Sequence, residues 1–208
     1  MDRWEQAARY LGAPDSRVES LMHRAFDALD RDAQPRTIAL ELPCHTMGEE
    51  INLGGITLRS RDLTRLLSHS PCALLYAATL GVQADALINR AQLTDMAYAL
   101  TLQACAAAAV EALTDRLRAE YEEKLRPQGL HLTPPFSPGY GDLPLTAQKP
   151  LLDLLEAPKR IGLTLTNAGL LAPTKSITAL CGITAQPCPH SASKCARCTL
   201  TNCAYRKE

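Results

Sequence analysis

Two stretches of this 208-residue chain carry residue types at spacings that can do chemistry. The first lies near the C-terminal end: Cys188-Pro189-His190, then Lys194-Cys195-Ala196-Arg197-Cys198, then Cys203. The two residues between Cys195 and Cys198 let both thiolates reach one metal from a tight turn, and Cys188 and Cys203 are near enough in sequence to complete a set of four. A segment so polar can bury little core of its own, so a bound metal would supply the free energy that orders it. An iron–sulfur cluster accepts four thiolates without needing two close pairs. Zinc usually takes two pairs, and His190 can stand in for one thiolate. Lys194 and Arg197 favour the thiolate form, which assists metal ligation and thiol exchange alike. Four readings stay open on these residues: an iron–sulfur cluster, a zinc site, a dithiol reductant on Cys195 and Cys198, and a tail with incidental thiols.

The second stretch is Pro134-Pro135-Phe136-Ser137-Pro138-Gly139-Tyr140-Gly141-Asp142-Leu143-Pro144. Its prolines remove backbone donors and fix φ, and the glycines on either side of Tyr140 permit conformations that other residues resist. Neither a helix nor a central strand accommodates that pattern. An aromatic held between two glycines exposes main-chain N–H groups and a phenol, which is how backbone-lined small-molecule pockets are built. The same residues also suit a plain connection between two packed halves.

Composition bounds the partners. Lysine plus arginine equals aspartate plus glutamate, so there is no global field to attract nucleic acid or an anionic membrane. The N-terminus lacks a basic region followed by an apolar one, and the alanine-rich residues 104–110 are too few to span a bilayer. Cys72 and Cys105 sit in apolar stretches like ordinary small core residues, so the eight cysteines fit a reducing, cytoplasmic location better than a disulfide framework. The length allows one main domain over residues 1–183 with a cysteine-rich appendage over 184–208.

The elements that must position these residues alternate in kind. Residues 2–11 read as a short helix, and Ser16 with Glu19 three residues on forms a capping box for a second. Residues 37–42 read as a strand, and residues 51–58 as a hairpin turning at Gly54-Gly55. Ser60 caps a helix carrying Leu63, Leu66 and Leu67. The apolar run 72–78 is a buried strand leading through Gly81 into a helix, and its single glycine is too few for a phosphate-cradling loop. Residues 94–125 form the long central helix, on which Glu111 reads as a carboxylate reaching solvent or pairing locally. After the proline-glycine stretch, residues 146–156 are helical, and residues 161–166 and 176–181 are β-like. This mixture predicts an α+β fold with a mainly antiparallel, twisted sheet flanked by helices.

The residues Phe136-Ser137-Pro138-Gly139-Tyr140-Gly141-Asp142-Leu143-Pro144, Ile161-Gly162-Leu163-Thr164-Leu165-Thr166 and Pro173-Thr174-Lys175-Ser176-Ile177-Thr178-Ala179, in that order, resemble the activation domain of vitamin B12-dependent methionine synthase, and more closely its short stand-alone relatives. Ala78-Thr79-Leu80-Gly81 and the alanine-rich helix are similar to the short proteins as well. The resemblance implies a curved α+β domain that binds S-adenosylmethionine through the Pro-Gly-Tyr loop and supports reductive methylation of cobalamin. Position by position, Gly139 and Tyr140 match the ligand-contacting pair, and Ser137 falls where a backbone contact is made. Pro135 stands where the full-length enzymes have an arginine, and Asn167 where they have a glutamate. The guanidinium fork that would clamp the methionine carboxylate is therefore missing, which implies weaker binding. The function so implied is an accessory role in reactivating a cobalamin-dependent methionine synthase or related corrinoid protein. The alternative is a metal, iron–sulfur redox or docking module that keeps the fold without the ligand. No nucleophile–base pair or paired carboxylates signal an independent catalytic activity.

Overall fold

A computed structural model describes residues 2–12 and 15–186. Two helices, α1 (Arg3–Leu11) and α2 (Ser16–Asp32), precede the strands β1 (Arg36–Met47), β2 (Glu50–Leu53) and β3 (Ile56–Arg59). Next come α3 (Arg61–Leu67), β4 (Cys72–Thr79), α4 (Val82–Thr94) and the 30-residue α5 (Met96–Leu125). The rest comprises β5 (His131–Leu132), α6 (Gln148–Leu154), α7 (Ala157–Ile161), β6 (Thr164–Leu165), β7 (Leu171–Ala172) and β8 (Ser176–Thr184). Six strands form one sheet in the order β3-β2-β1-β4-β8-β5, every pair antiparallel, and β6 and β7 form a separate two-stranded ribbon. The predicted α+β class with an antiparallel, helix-flanked sheet is what the chain adopts.

β4 is the spine of the sheet because it is apolar on both faces, as a strand covered on each side must be. Ala73, Leu75 and Ala77 join Leu180 beneath α3, α6 and α7, where Leu63, Leu67, Leu151 and Ile161 close one core. Leu74 and Tyr76, with Cys181 and Ile183, face the second half of α5 through Leu117, Tyr121 and Leu125. The first half of α5 packs its small residues Cys105, Ala106 and Ala108 against α1, α2 and α4, where side chains of that size let helix axes come close. By length and composition α5 could cross a bilayer, but half of its apolar stretch is buried against this protein's own elements, as in a core helix.

β1 changes partner midway. Residues 36–43 pair with β4 and residues 44–47 with β2, so the strand extends well past the predicted residue 42. The hairpin at Gly54-Gly55 and the Ser60 cap form as expected, with the Ser60 hydroxyl accepting from the Leu63 N–H at 3.0 Å. Two local readings differ. Asp15 caps α2, its carboxylate accepting from Val18 N–H at 2.9 Å, while Ser16 is the first helical residue. A carboxylate outcompetes a hydroxyl there because it adds charge to the positive end of the helix dipole. Residues 161–166 are not one strand: Ile161 ends α7, Gly162 turns the chain at φ 70°, and only Thr164–Leu165 pair with β7. Ala157, Ile161 and Leu163 are buried in the core, so tertiary burial overrides the β-like alternation.

Candidate functional site

The proline-glycine stretch is an ordered loop pinned at three points. At its start, Phe136 exchanges two backbone hydrogen bonds with Leu180 of β8, at 2.9 and 2.8 Å. At its tip, Tyr140 N–H donates to Ser137 C=O at 3.1 Å, while Gly139 N–H donates to Leu143 C=O at 2.9 Å and Leu143 N–H to Tyr140 C=O at 3.1 Å. Gly139 at φ 89° and Gly141 at φ 53° lie in the left-handed region, which explains the glycines on either side of Tyr140. At its end, the Asp142 carboxylate accepts from the Ser60 hydroxyl at 2.5 Å and from the Arg61 and Asp62 N–H groups at 2.8 and 3.2 Å. Asp142 thus caps α3 from the far side of the loop. The Ser60 hydroxyl and these two amides hold its carboxyl below the usual range.

This arrangement brings Ser137, Gly139 and Tyr140 together and presents the last two at the surface, with Tyr140 53% exposed. The Tyr140 ring meets Phe136 edge-on, with centroids 6.5 Å apart. Beside the loop opens a groove of about 560 Å³ between α6 and the β6–β7 ribbon, lined by Leu145, Lys149, Leu152, Leu165, Asn167 and Gly169 among others. Leu145 belongs to both features, because a Cβ added at Gly139 would lie 3.7 Å from its side chain. Asn167, singled out in the sequence, therefore lines a cavity next to the Tyr140 turn.

On the α5 side, Glu111 does not pair locally. Its carboxylate accepts from the Tyr10 hydroxyl at 2.5 Å and from the Gln6 side-chain amide, both on α1. The α1–α5 packing that makes this possible joins residues about a hundred positions apart, which no local pattern reveals. Burial, reinforced by Glu111, raises the Tyr10 phenol far above its ordinary value, and Tyr140 is close enough to add to the effect. The sequence picks out Tyr140 and the Ser60 cap but not the Asp142 anchor or the pairing of Glu111 with Gln6 and Tyr10.

Cys188, Cys195, Cys198 and Cys203 lie outside the described residues. Among the described residues, no group of three or more histidine, cysteine or acidic side chains is arranged to hold a metal. Cys44, Cys72, Cys105 and Cys181 are free thiols.

If Asp142 anchors the loop, its replacement should loosen the tip before the core. We expect Asp142→Ala to speed amide exchange at Gly139, Tyr140 and Leu143 roughly tenfold while leaving β4 protected. Equal acceleration in β4 would contradict a local anchor. The folded carboxyl titrates below its ordinary value of 3.8, so the anchor is present at neutral pH and is lost only as pH falls through that lowered pKa.

No protein-family model matches the chain, and no curated protein sequence matches it. Among solved structures, it is similar to the crystal structure of the MetH reactivation domain bound to AdoHcy. That likeness has a TM-score of 0.62 at 20% sequence identity and covers 80% of this chain and 65% of that one. The chain has the fold of that reactivation domain. It spans just under two thirds of the other chain's length.

Proposed function

We propose that this protein is a cytoplasmic accessory factor that docks onto a cobalamin-dependent methionine synthase, or a related corrinoid methyltransferase, and supports its reductive reactivation. The observation that carries this reading is the fold shared with a reactivation domain whose crystal structure contains AdoHcy, combined with a Pro-Gly-Tyr loop that is anchored in place yet presents Tyr140 outward. S-adenosylmethionine is the small ligand we assign to the loop. Its adenosyl group would lie against Tyr140 and Phe136, whose aromatic edges favour stacking or T-shaped contact. Pro135 supplies no charge for the methionine carboxylate, so affinity should fall below that of sites with an arginine there.

In this reading the protein contributes position rather than bond chemistry. The loop and the groove beside it form a preorganised surface, and docking would favour the partner conformation in which cobalt meets the methyl donor. Cys188, Cys195, Cys198 and Cys203 would hold an iron–sulfur cluster or zinc, the former supplying one-electron reduction. Iron and acid-labile sulfide analysis after purification without oxygen distinguishes these.

The experiment is an anaerobic assay with the candidate synthase in its cob(II)alamin form, with S-adenosylmethionine and a reductant. Activity should return only when this protein is added. A synthase that stays inactive removes the basis of the proposal. Pro135 also favours a second reading, in which the loop docks a protein and binds no small ligand. Reactivation that needs this protein, coupled with calorimetry showing no S-adenosylmethionine binding, would select it.

A further inference from the structure

The central strands of the sheet share one end. Arg36 of β1 lies opposite Thr79 of β4, and Thr79 lies opposite Ser176 of β8, so one row of the ladder crosses all three strands there. Lys175 precedes Ser176, and its C=O accepts from Leu80 N–H at 2.9 Å. On the face where Ala77 and Leu180 are buried, α3 occupies the other end, since Leu67 and Ser70 lie within 3.0 Å of a Cβ placed at Gly182. α7 shares that core and packs against β1 and β4, which leaves it the Ser176 end. Its last turn carries Lys159 and Arg160, both exposed, and its Pro158 lines the groove beside the Tyr140 loop. Lys159 and Arg160 therefore stand at the rim of that groove, with Arg36 and Lys175 beyond them along the end of the sheet.

These cations lack counter-charges. Arg3, Arg59, Arg61 and Lys149 each reach a carboxylate, at 2.7 to 3.9 Å, whereas Arg36, Lys159, Arg160 and Lys175 form no ion pair among the described residues. Asp85, which acts on Lys175, already accepts from the Thr174 N–H and hydroxyl at 2.8 and 2.6 Å. Asp153 is held by Lys149 at 2.8 Å, and Glu156 lies at the far end of α7 from Arg160. Burial lowers the Lys175 pKa more than Asp85 raises it, as for a cation short of counter-charge. This end of the sheet is electropositive although the whole chain is neutral. The cations border an apolar centre, where Tyr140 is 53% and Leu145 41% exposed. A charged rim around an apolar centre is the anatomy of a protein interface and not of a surface that tracks phosphates.

We propose that Arg36, Lys159, Arg160 and Lys175 form the electropositive rim of the docking surface, and that they receive a patch of aspartate and glutamate side chains on the partner protein. The rim steers encounter and fixes which way the Tyr140 loop faces, while the apolar centre supplies affinity. This inference rests on the reading of that loop and groove as a docking surface.

The test compares the full-length protein with a Lys159→Glu/Arg160→Glu double variant. Arg116→Glu is the control, because Arg116 is exposed on α5 and also forms no ion pair among the described residues. Association with the candidate synthase in its cob(II)alamin form is followed by stopped flow at low and high salt. We expect roughly tenfold slower association of the double variant at low salt, a smaller difference at high salt, and no change for the control. The neutral pair Lys159→Gln/Arg160→Gln should fall in between, and all the variants should melt with the wild type because the positions are exposed. Equal association of wild type and double variant, or equal slowing by Arg116→Glu, overturns the proposal and leaves the accessory role standing. Poly-glutamate and a single-stranded DNA of equal charge are probes that do not depend on the synthase. If the wild type ignores the synthase, the accessory reading fails. Poly-glutamate binding that requires Lys159 and Arg160 would then still support an acidic partner, and its absence would overturn that as well. DNA bound more tightly than poly-glutamate through these residues would assign the rim to nucleic acid and overturn the proposal.

Discussion

Raising the pH from 9 to 11 is expected to destabilise this protein steeply, by about 4 kcal/mol per pH unit at full slope. The cause is three buried thiols. Burial pushes Cys105 up to about 12 and Cys44 and Cys181 up to about 11, from an ordinary value of 9.0. The Arg118 guanidinium beside Cys181 opposes the shift without cancelling it. With folded pKa values raised, the native state keeps protons that the unfolded chain has already released. The contribution is therefore fully present below pH 9 and is lost as pH rises through the folded values. Each such thiol gives about 1.4 kcal/mol per pH unit, and three give about 4. The Tyr10 and Tyr76 phenols, also raised by burial, add to the loss above pH 10. Lys175 acts in the opposite sense, because burial lowers its pKa. Denaturant unfolding in reductant at several pH values measures the slope, and Cys105→Ala should flatten it by about a third. A stability profile that is level between pH 9 and 11 would show that these thiols are not buried as described.

The second large effect concerns a glycine in the middle of β8. A Cβ at Gly182 would sit 2.2 Å from the Ser70 hydroxyl oxygen, 2.9 Å from the Ser70 Cβ and 3.0 Å from Leu67. Neither neighbour can retreat easily. Ser70 N–H is bonded to Leu67 C=O at 2.9 Å, the adjoining Pro71 C=O accepts from Cys44 N–H at 2.9 Å, and Leu67 is buried in the core. We expect Gly182→Ala to cost roughly 3 kcal/mol, at the upper end for overpacking a core, and to lower Tm by about 6–12 °C. Adding Ser70→Gly should recover most of that loss, since it removes both of the closest atoms. Ser70→Ala alone should be nearly neutral, because the Ser70 hydroxyl is buried with no partner among the described residues. A Gly182→Ala protein as stable as wild type would mean that α3 and β8 are not packed this closely.

Elements whose cause is local are legible in the chain. Cys72 to Ala78 is apolar at every position, and a run of that length between Pro71 and Gly81 reads as a strand covered on both faces. Ser60 precedes an apolar helical repeat, and Gly54-Gly55 joins two short alternating runs. The proline and glycine positions in residues 134–144 exclude helix and central strand by themselves, and the loop lies where they place it. Features that depend on distant partners are not legible. The alternation in residues 161–166 yields to the burial of Ile161 and Leu163, and β5 and β7 are two-residue segments that exist only because β8 and β6 lie alongside.

The candidate site divides the same way. Backbone chemistry written into the sequence determines that Tyr140 is held out between left-handed glycines and that Pro138 cannot continue a ladder. Only the tertiary structure decided that Asp142 caps α3 and that Glu111 is held by Tyr10 and Gln6 of the first helix. The missing donor of a proline or the torsion of a glycine is a property of one residue, whereas a hydrogen-bond partner eighty or a hundred positions away is fixed by how helices and strands pack.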